Sequence, residues 1–106
     1  MLKIINDRIL KSLHDLGINS LWPVQEKIIP KALADTDLLV SAETGSGKTF
    51  AYLIPMLQKM IESSSPNSNT RGLILAPTRE LADQVYNEFN SLSQYTFMTA
   101  QAVYGG

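Results

Sequence analysis

The chain of 106 residues contains no cysteine, and it has a single histidine, His14. Without thiols it can form no disulfide scaffold, no thiol nucleophile and no cysteine-ligated zinc site. One imidazole alone offers a zinc or iron ion almost no ligand set. The lack of cysteine fits a reducing compartment, and the composition favours neither a disulfide-rich scaffold nor a transition-metal protein.

The sequence also lacks an excess of charge of either sign and a long hydrophobic run. Nine Lys and Arg residues nearly cancel ten Asp and Glu residues, which leaves a formal net charge of -1 at pH 7. Any contact with nucleic acid should therefore be local. The apolar run at 50–57 is far shorter than the roughly 20 residues that span a membrane, and the run at 1–5 is too short for a signal peptide. We expect a cytoplasmic protein with no membrane association.

The chain does contain an alternation of helical patterns and short apolar runs. With 44% hydrophobic residues, it has the composition of a globular protein, and its length allows one domain at most. The polar residues 63–70 are predicted to form a surface loop. We predict helices at 7–16, from Pro23 onward, at 48–62 and from Thr78 onward, and buried strands at 38–42, 73–76 and 98–104.

Helical spacing also predicts which side chains face the core. The predicted inward sets are Val24, Ile28 and Leu33 in the second helix, and Leu81, Val85, Phe89 and Leu92 in the last. Strands that alternate with helices are typical of an α/β fold with a parallel sheet and right-handed crossovers. Three strands are few for such a sheet, and no helix follows the third, so we expect the sheet to be incomplete at the C-terminal end.

Residues 42–49 carry the strongest functional signal, because they read A-E-T-G-S-G-K-T between a predicted strand and a predicted helix. That context is what a phosphate-binding loop requires, here in the looser form that opens with alanine. Its glycines let backbone N–H groups approach phosphate oxygens, and the helix that follows adds its positive dipole end. Lys48 would contact the β and γ phosphates, and Thr49 would be a ligand of Mg²⁺. The predicted phosphate-loop residues are Ala42, Glu43, Thr44, Gly45, Ser46, Gly47, Lys48 and Thr49.

A phosphate loop indicates a nucleoside triphosphate but not its use, since kinases, transporters, switches and motors share it. Three further segments are informative: G-I-x-x-L-W-P-V-Q within 17–30, A-P-T-R-E-L-A-D-Q at 76–84 and G-G at 105–106. These segments resemble the Q motif, motif Ia and the glycine doublet of DEAD-box RNA helicases, and residues 42–49 resemble motif I of that family. The resemblance covers essentially the whole chain. It implies part of a helicase ATP-binding domain, the N-terminal part of a first RecA-like domain with a three-layer P-loop NTPase fold.

The resemblance implies ATP and Mg²⁺ as cofactors and RNA as the partner. Gln25 would recognise adenine, because a glutamine amide can pair with N6 and N7 of that base. The RNA backbone would be bound by Pro77, Thr78, Arg79, Glu80, Gly105 and Gly106. The residues alone also fit plainer interpretations, namely an exposed helix residue at position 25, a helix cap at Thr78, a solvated pair at 79–80 and a turn at the two glycines.

The sequence departs from the family pattern at Ile18, where an aromatic residue is usual, and at Leu21 and Trp22, where proline and a hydroxyl residue are usual. No D-E-A-D motif occurs in the 106 residues, so we expect them to be catalytically silent by themselves. Two alternatives remain open. One is a different phosphate-loop enzyme, such as a kinase or a DNA helicase, and it leaves P-T-R-E-L at 77–81 unexplained. The other is a truncated nucleotide-binding remnant without catalysis.

Overall fold

Four helices make up the regular secondary structure of the residues described by the computed structural model, which are 4–42, 45, 47–63 and 70–105. They are α1 (Asp7–Asp15), α2 (Pro23–Leu33), α3 (Lys48–Glu62) and α4 (Arg79–Leu92). The four predicted helices are thereby confirmed. Residues 64–69 of the predicted surface loop lie outside the described residues. Within the part of the chain that the structure describes, no helix combines the length and the apolar character needed to cross a membrane.

Local chemistry accounts for the helix boundaries. The Asn6 side chain accepts a hydrogen bond from the backbone N–H of Arg8 and so caps α1, which gives way to Gly17 in a left-handed conformation at φ 79°. Pro23 occupies the first position of α2, where its missing N–H has no cost. The Thr78 hydroxyl accepts from the N–H of Leu81 and caps α4. These signals are all local, which is why the sequence predicts them well.

The predicted strands at 38–42, 73–76 and 98–104 are wrong for the structure as it stands. Among the described residues no strand is formed, and no backbone hydrogen bond joins any of these three segments to another. A strand exists only where a neighbour offers its own N–H and C=O groups, and apolar composition cannot supply that neighbour. Leu39 and Leu75, at the centres of the first two segments, are therefore almost fully exposed.

The core lies between the helices. It contains Ile9 and Leu13 of α1, Ile29 of α2 and Leu92 of α4, packed around the apolar face of α3. Three residues of α3, Leu53, Ile54 and Leu57, have no solvent exposure. Burying a side chain of this size contributes about 1.5–3 kcal/mol, so α3, which begins at the predicted phosphate loop, is the most firmly held helix.

The inward faces of α2 and α4 differ in part from the prediction. In α2 the buried residues are Gln25 and Ile29, whereas Val24, Ile28 and Leu33 are half-buried. In α4 Phe89 and Leu92 are buried as predicted, but Leu81 is 42% exposed and Val85 is half-buried. Ile28 and Leu81 line open grooves beside the segments predicted as strands, and Val85 lines a groove on one side while it packs against the helical core on the other.

Candidate nucleotide-binding site

The phosphate loop leads directly into α3. Gly47 caps the helix in a left-handed conformation, at φ 85°, and Lys48 is its first residue. Gly45 has a φ of 82°, so both loop glycines adopt a conformation that other residues rarely reach. The Lys48 side chain is exposed at the positive end of the helix. This is the arrangement expected for binding a phosphate group.

The structure describes two of the other predicted phosphate-loop residues, Ala42 and Thr49. Ala42 is half-buried at the start of the loop. Glu43, Thr44 and Ser46 lie outside the described residues, so their predicted contacts with the nucleotide stay predictions. Thr49 is half-buried in the first turn of α3, one residue beyond Lys48.

Gln25 connects the start of α2 to the phosphate loop. Its Oε1 accepts from the backbone N–H of Trp22 at 2.9 Å, and its Nε2 donates to the carbonyl oxygen of Gly47 at 3.2 Å. The side chain is 4% exposed, so the plainer interpretation of an exposed helix residue is wrong. A buried amide with both ends bonded holds its two partners in a fixed relation.

The side chains around Gly47 leave no room for another residue there. A Cβ added at this position would lie 2.6 Å from Nε2 of Gln25 and 2.8 Å from Cε3 of Trp22. Gly45 has nearly the same backbone conformation, yet a Cβ there would meet nothing within 4 Å. Position 47 therefore requires glycine for its backbone angle and for the close approach of two side chains.

An open groove of about 350 Å³ joins the phosphate loop to the segment around residue 77. Lys48 and Thr49 lie on one side of it, and Ala76 and Pro77 on the other. Tyr52, one turn beyond Lys48, lines the same groove. Burial raises the pKa of the Tyr52 phenol, the hydrogen bond with Thr49 opposes that shift, and the negative charge of Glu88 adds to it.

The predicted RNA-binding residues Arg79 and Gly105 are in direct contact. Nη2 of Arg79 donates to the carbonyl oxygen of Gly105 at 2.7 Å, and the guanidinium lies 4.9 Å from the centre of the Tyr104 ring. Arg79 and Glu80 are both exposed, which agrees with the plainer interpretation of solvated side chains, and no ion pair joins them among the residues described. Pro77, Thr78 and Glu80 are all exposed on the same helix start, and Gly106 lies outside the described residues.

Three residues of these sites were missed by the sequence reasoning or given no role in it. Tyr104 contacts Arg79 through its ring, and its hydroxyl donates to Oδ1 of Asp83 at 3.2 Å. That hydrogen bond raises the pKa of the Tyr104 phenol. The spacing of Arg79 and Asp83, four positions apart on a helix, was the available signal for their sharing a face. Trp22 gave no such signal, because its contact with Gly47 joins residues far apart in the chain.

The side chains present at the site determine whether it can hold Mg²⁺. The described residues hold no group of three or more His, Cys, Asp or Glu side chains that could bind a metal ion. Mg²⁺ commonly keeps several waters and binds through substrate phosphates with few protein ligands. A single hydroxyl at Thr49, in the first turn of α3, fits a Mg²⁺ ion carried by a nucleotide and not a resident metal centre.

Comparison with known proteins gives a consistent result along the chain. The family model for DEAD/DEAH box helicases matches residues 22–106. The ATP-dependent RNA helicase CshA of Listeria monocytogenes is 43% identical over 102 residues, which cover 96% of this chain and 19% of that protein. The ATP-dependent RNA helicase DBP4 of Encephalitozoon cuniculi is 38% identical over 103 residues, which cover 96% of this chain and 23% of that protein.

Solved structures agree with the sequence relatives. The RNA helicase Prp28 from Chaetomium thermophilum, in a crystal structure bound to ADP, superposes with a TM-score of 0.87 at 37% identity. The match covers 96% of this chain and 25% of that one. The likeness shows the α/β P-loop fold of these helicases, although the described residues here form no strand. The chain spans about a fifth of the length of the two relatives above, and it belongs to the DEAD/DEAH box helicase family.

Proposed function

We propose that this chain forms the ATP-binding part of an ATP-dependent RNA helicase, within a first RecA-like domain built on a three-layer parallel sheet. The observation that carries the proposal is the convergence of Gln25, Gly47 and Lys48 at the start of α3. Relatives named ATP-dependent RNA helicases support it. In the intact protein, ATP binding and hydrolysis would be coupled to the local opening of an RNA duplex.

At the nucleotide site, the N–H groups at the start of α3 and the Lys48 ammonium would bind the β and γ phosphates. Thr49 would hold Mg²⁺, which when bound neutralises charge that develops on the phosphoryl oxygens. Gln25 uses one N–H on Gly47 and one lone pair on Trp22. Its amide still has a second N–H and a second lone pair, which can pair with adenine in one plane.

At the RNA site, α4 would present its N-terminus and the Arg79 guanidinium to phosphate oxygens. Only one of the guanidinium N–H groups is bonded to Gly105, so most of its donors remain for RNA. Thr78 and Gly105 lie beside Arg79 on the same surface. Pro77 and Glu80, exposed at the same helix start, would contact the RNA backbone there as well. Contacts of this kind position a nucleic-acid backbone and do not read base sequence.

The nucleotide part of the proposal is tested by isothermal titration calorimetry with ADP and GDP in the presence of Mg²⁺. We expect ADP to bind more tightly than GDP, and Lys48→Ala to weaken ADP roughly tenfold, since it removes a charge-assisted hydrogen bond. Lys27→Ala, which removes an exposed cation from α2, is the matched control and should change nothing. Equal affinities for ADP and GDP, or an unaffected Lys48→Ala variant, would contradict the assignment.

Hydrolysis is tested separately, by phosphate release from ATP with and without single-stranded RNA. Because the 106 residues contain no D-E-A-D, they lack the carboxylates that would position Mg²⁺ and the attacking water. We expect only background release from them. RNA-stimulated release would show that hydrolysis depends on residues within this chain, which the proposal excludes.

A further inference from the structure

We propose that the indole of Trp22 is a positioning residue for the phosphate loop. It holds Gly47 in its left-handed conformation, so that Lys48 and the start of α3 are aligned before a nucleotide arrives. The inference rests on the proposed nucleotide binding at this loop. It gives a defined role to a residue at which the sequence departs from the pattern of its family.

The Trp22 ring lies directly against Gly47 of the phosphate loop. Cε3 and Cδ2 of Trp22 lie 2.8 Å and 3.3 Å from the point that a Cβ of residue 47 would occupy. The six-membered edge of the indole therefore fills the space that any side chain would need there. Gly47 is the residue that caps α3, so the indole lies against the start of that helix.

The second support is that the same glycine is held from another direction. Nε2 of Gln25 donates to the Gly47 carbonyl oxygen, while Oε1 of Gln25 accepts from the backbone N–H of Trp22. Trp22, Gln25 and Gly47 thus form a closed set of contacts. In this set the indole restrains the Cα of the glycine and the buried amide restrains its carbonyl group.

The physical reason for such a restraint is the freedom of glycine. A free glycine populates left-handed and right-handed conformations about equally, so fixing it costs about 0.5–1 kcal/mol more than fixing another residue. A loop whose glycine is already fixed before binding holds its ligand more tightly, because less conformational entropy is lost when the ligand binds. Packing by the indole fixes Gly47 when the protein folds, so this entropy is not lost again when a nucleotide binds.

Trp22 is also suited to report on the loop. It is the only tryptophan of the chain, and it is 50% exposed, with one edge against Gly47. Its fluorescence therefore comes from a single place in the molecule. A ligand that settles on the phosphate loop should change the surroundings of that ring.

The experiment titrates the 106-residue chain with pyrophosphate, ADP and adenosine in the presence of Mg²⁺, following tryptophan emission. We expect pyrophosphate and ADP to shift the emission and adenosine to leave it unchanged, since Trp22 contacts the loop and not the base. An emission change with adenosine and none with pyrophosphate would overturn the proposal, because it would place the ring against the base.

Two variants complete the test, with ADP affinity measured by calorimetry. Trp22→Ala should weaken ADP roughly two- to fivefold, as expected from the freedom returned to one glycine. Trp22→Phe keeps an aromatic edge and should restore most of the affinity. Equal affinities for wild type and Trp22→Ala would refute the positioning role. A melt followed by circular dichroism verifies that each variant is folded, and the fluorescence titration of the wild type decides the question if one is not.

Failure of this inference can be separated from failure of the proposed function. If ADP binds by calorimetry and Lys48→Ala weakens its binding as expected, but emission and Trp22→Ala show no effect, only the role of Trp22 is refuted. If neither ADP nor pyrophosphate binds at all, the proposed nucleotide site is refuted and the role of Trp22 with it.

Discussion

Arg79 donates a hydrogen bond to the carbonyl oxygen of Gly105 across 26 positions of sequence. The contact brings the start of α4 and Gly105 into one surface, although neither segment predicts the other. The family resemblance implies an RNA-binding role for both segments, and the contact places Arg79 and Gly105, two of the predicted residues, side by side. The Arg79 guanidinium connects the two segments, so its removal should weaken RNA binding.

Replacing Arg79 is therefore the direct test of the RNA surface. We expect Arg79→Ala to weaken a single-stranded RNA oligonucleotide roughly tenfold and to lower the salt dependence of its binding, as loss of one phosphate contact requires. Fluorescence anisotropy at two salt concentrations measures both effects. Lys31→Ala, on the exposed side of α2, is the control. If the two variants weaken RNA equally, Arg79 acts only through general charge.

The Tyr104 phenol offers a spectroscopic test of the same cluster. The hydrogen bond to Asp83 and the charge of that carboxylate raise the pKa of Tyr104 above its ordinary value of 10.0. Because the raised pKa belongs to the folded state, the stabilisation from this bond is present below pH 10 and is lost as the pH rises through the folded pKa. Ultraviolet absorbance, which differs between phenol and phenolate, follows tyrosinate formation. Tyr104→Phe should remove one late-titrating phenol, and Asp83→Asn should make it titrate earlier; an unchanged curve in Asp83→Asn contradicts the contact.

Position 47 requires glycine for two reasons, the positive φ of its backbone and the close approach of two side chains, and substitutions can separate them. Gly47→Ala and Gly45→Ala both place a side chain at positive φ, which costs about 1–2 kcal/mol. Only the first also forces a Cβ against Gln25 and Trp22. We expect Gly47→Ala to lose far more ADP affinity in calorimetry than Gly45→Ala. Trp22→Ala combined with Gly47→Ala should recover part of the loss, and failure to recover any would show that backbone angle alone governs the position.

Gln58 is predicted to be the polar residue of α3 on which stability depends most. Its Nε2 donates to the Ile4 carbonyl oxygen at 2.6 Å, and its Oε1 accepts from the Asn6 N–H at 2.8 Å, with 5% of the residue exposed. Gln58→Leu leaves both backbone groups without these partners, at a cost of about 1–3 kcal/mol in the free energy of unfolding. Urea unfolding measures it. Gln94→Leu, at an exposed glutamine, should cost little, and equal losses in both variants would contradict the role of Gln58.

The extended segments show where sequence reasoning was wrong. Their apolar runs predicted strands that are not formed, while the solved helicases that this chain resembles support the α/β P-loop fold. Yet Leu39 and Leu75 remain exposed among the described residues, with no ladder around them. A helix satisfies its hydrogen bonds within its own segment, whereas a strand needs a partner from elsewhere in the chain. The helices were therefore predictable and the sheet was not.

The sequence alone determined whatever depends on neighbours along the chain. Helix caps at Asn6 and Thr78, the pattern of a phosphate loop before Lys48 and the family resemblance could all be recognised from short segments of sequence. The tertiary structure decided that Gln25 is buried against Gly47, that Trp22 covers the same glycine, and that Arg79 reaches Gly105. These contacts join residues 22 to 26 positions apart. Their partners are selected by packing of the helices around α3, and no local pattern carries that information.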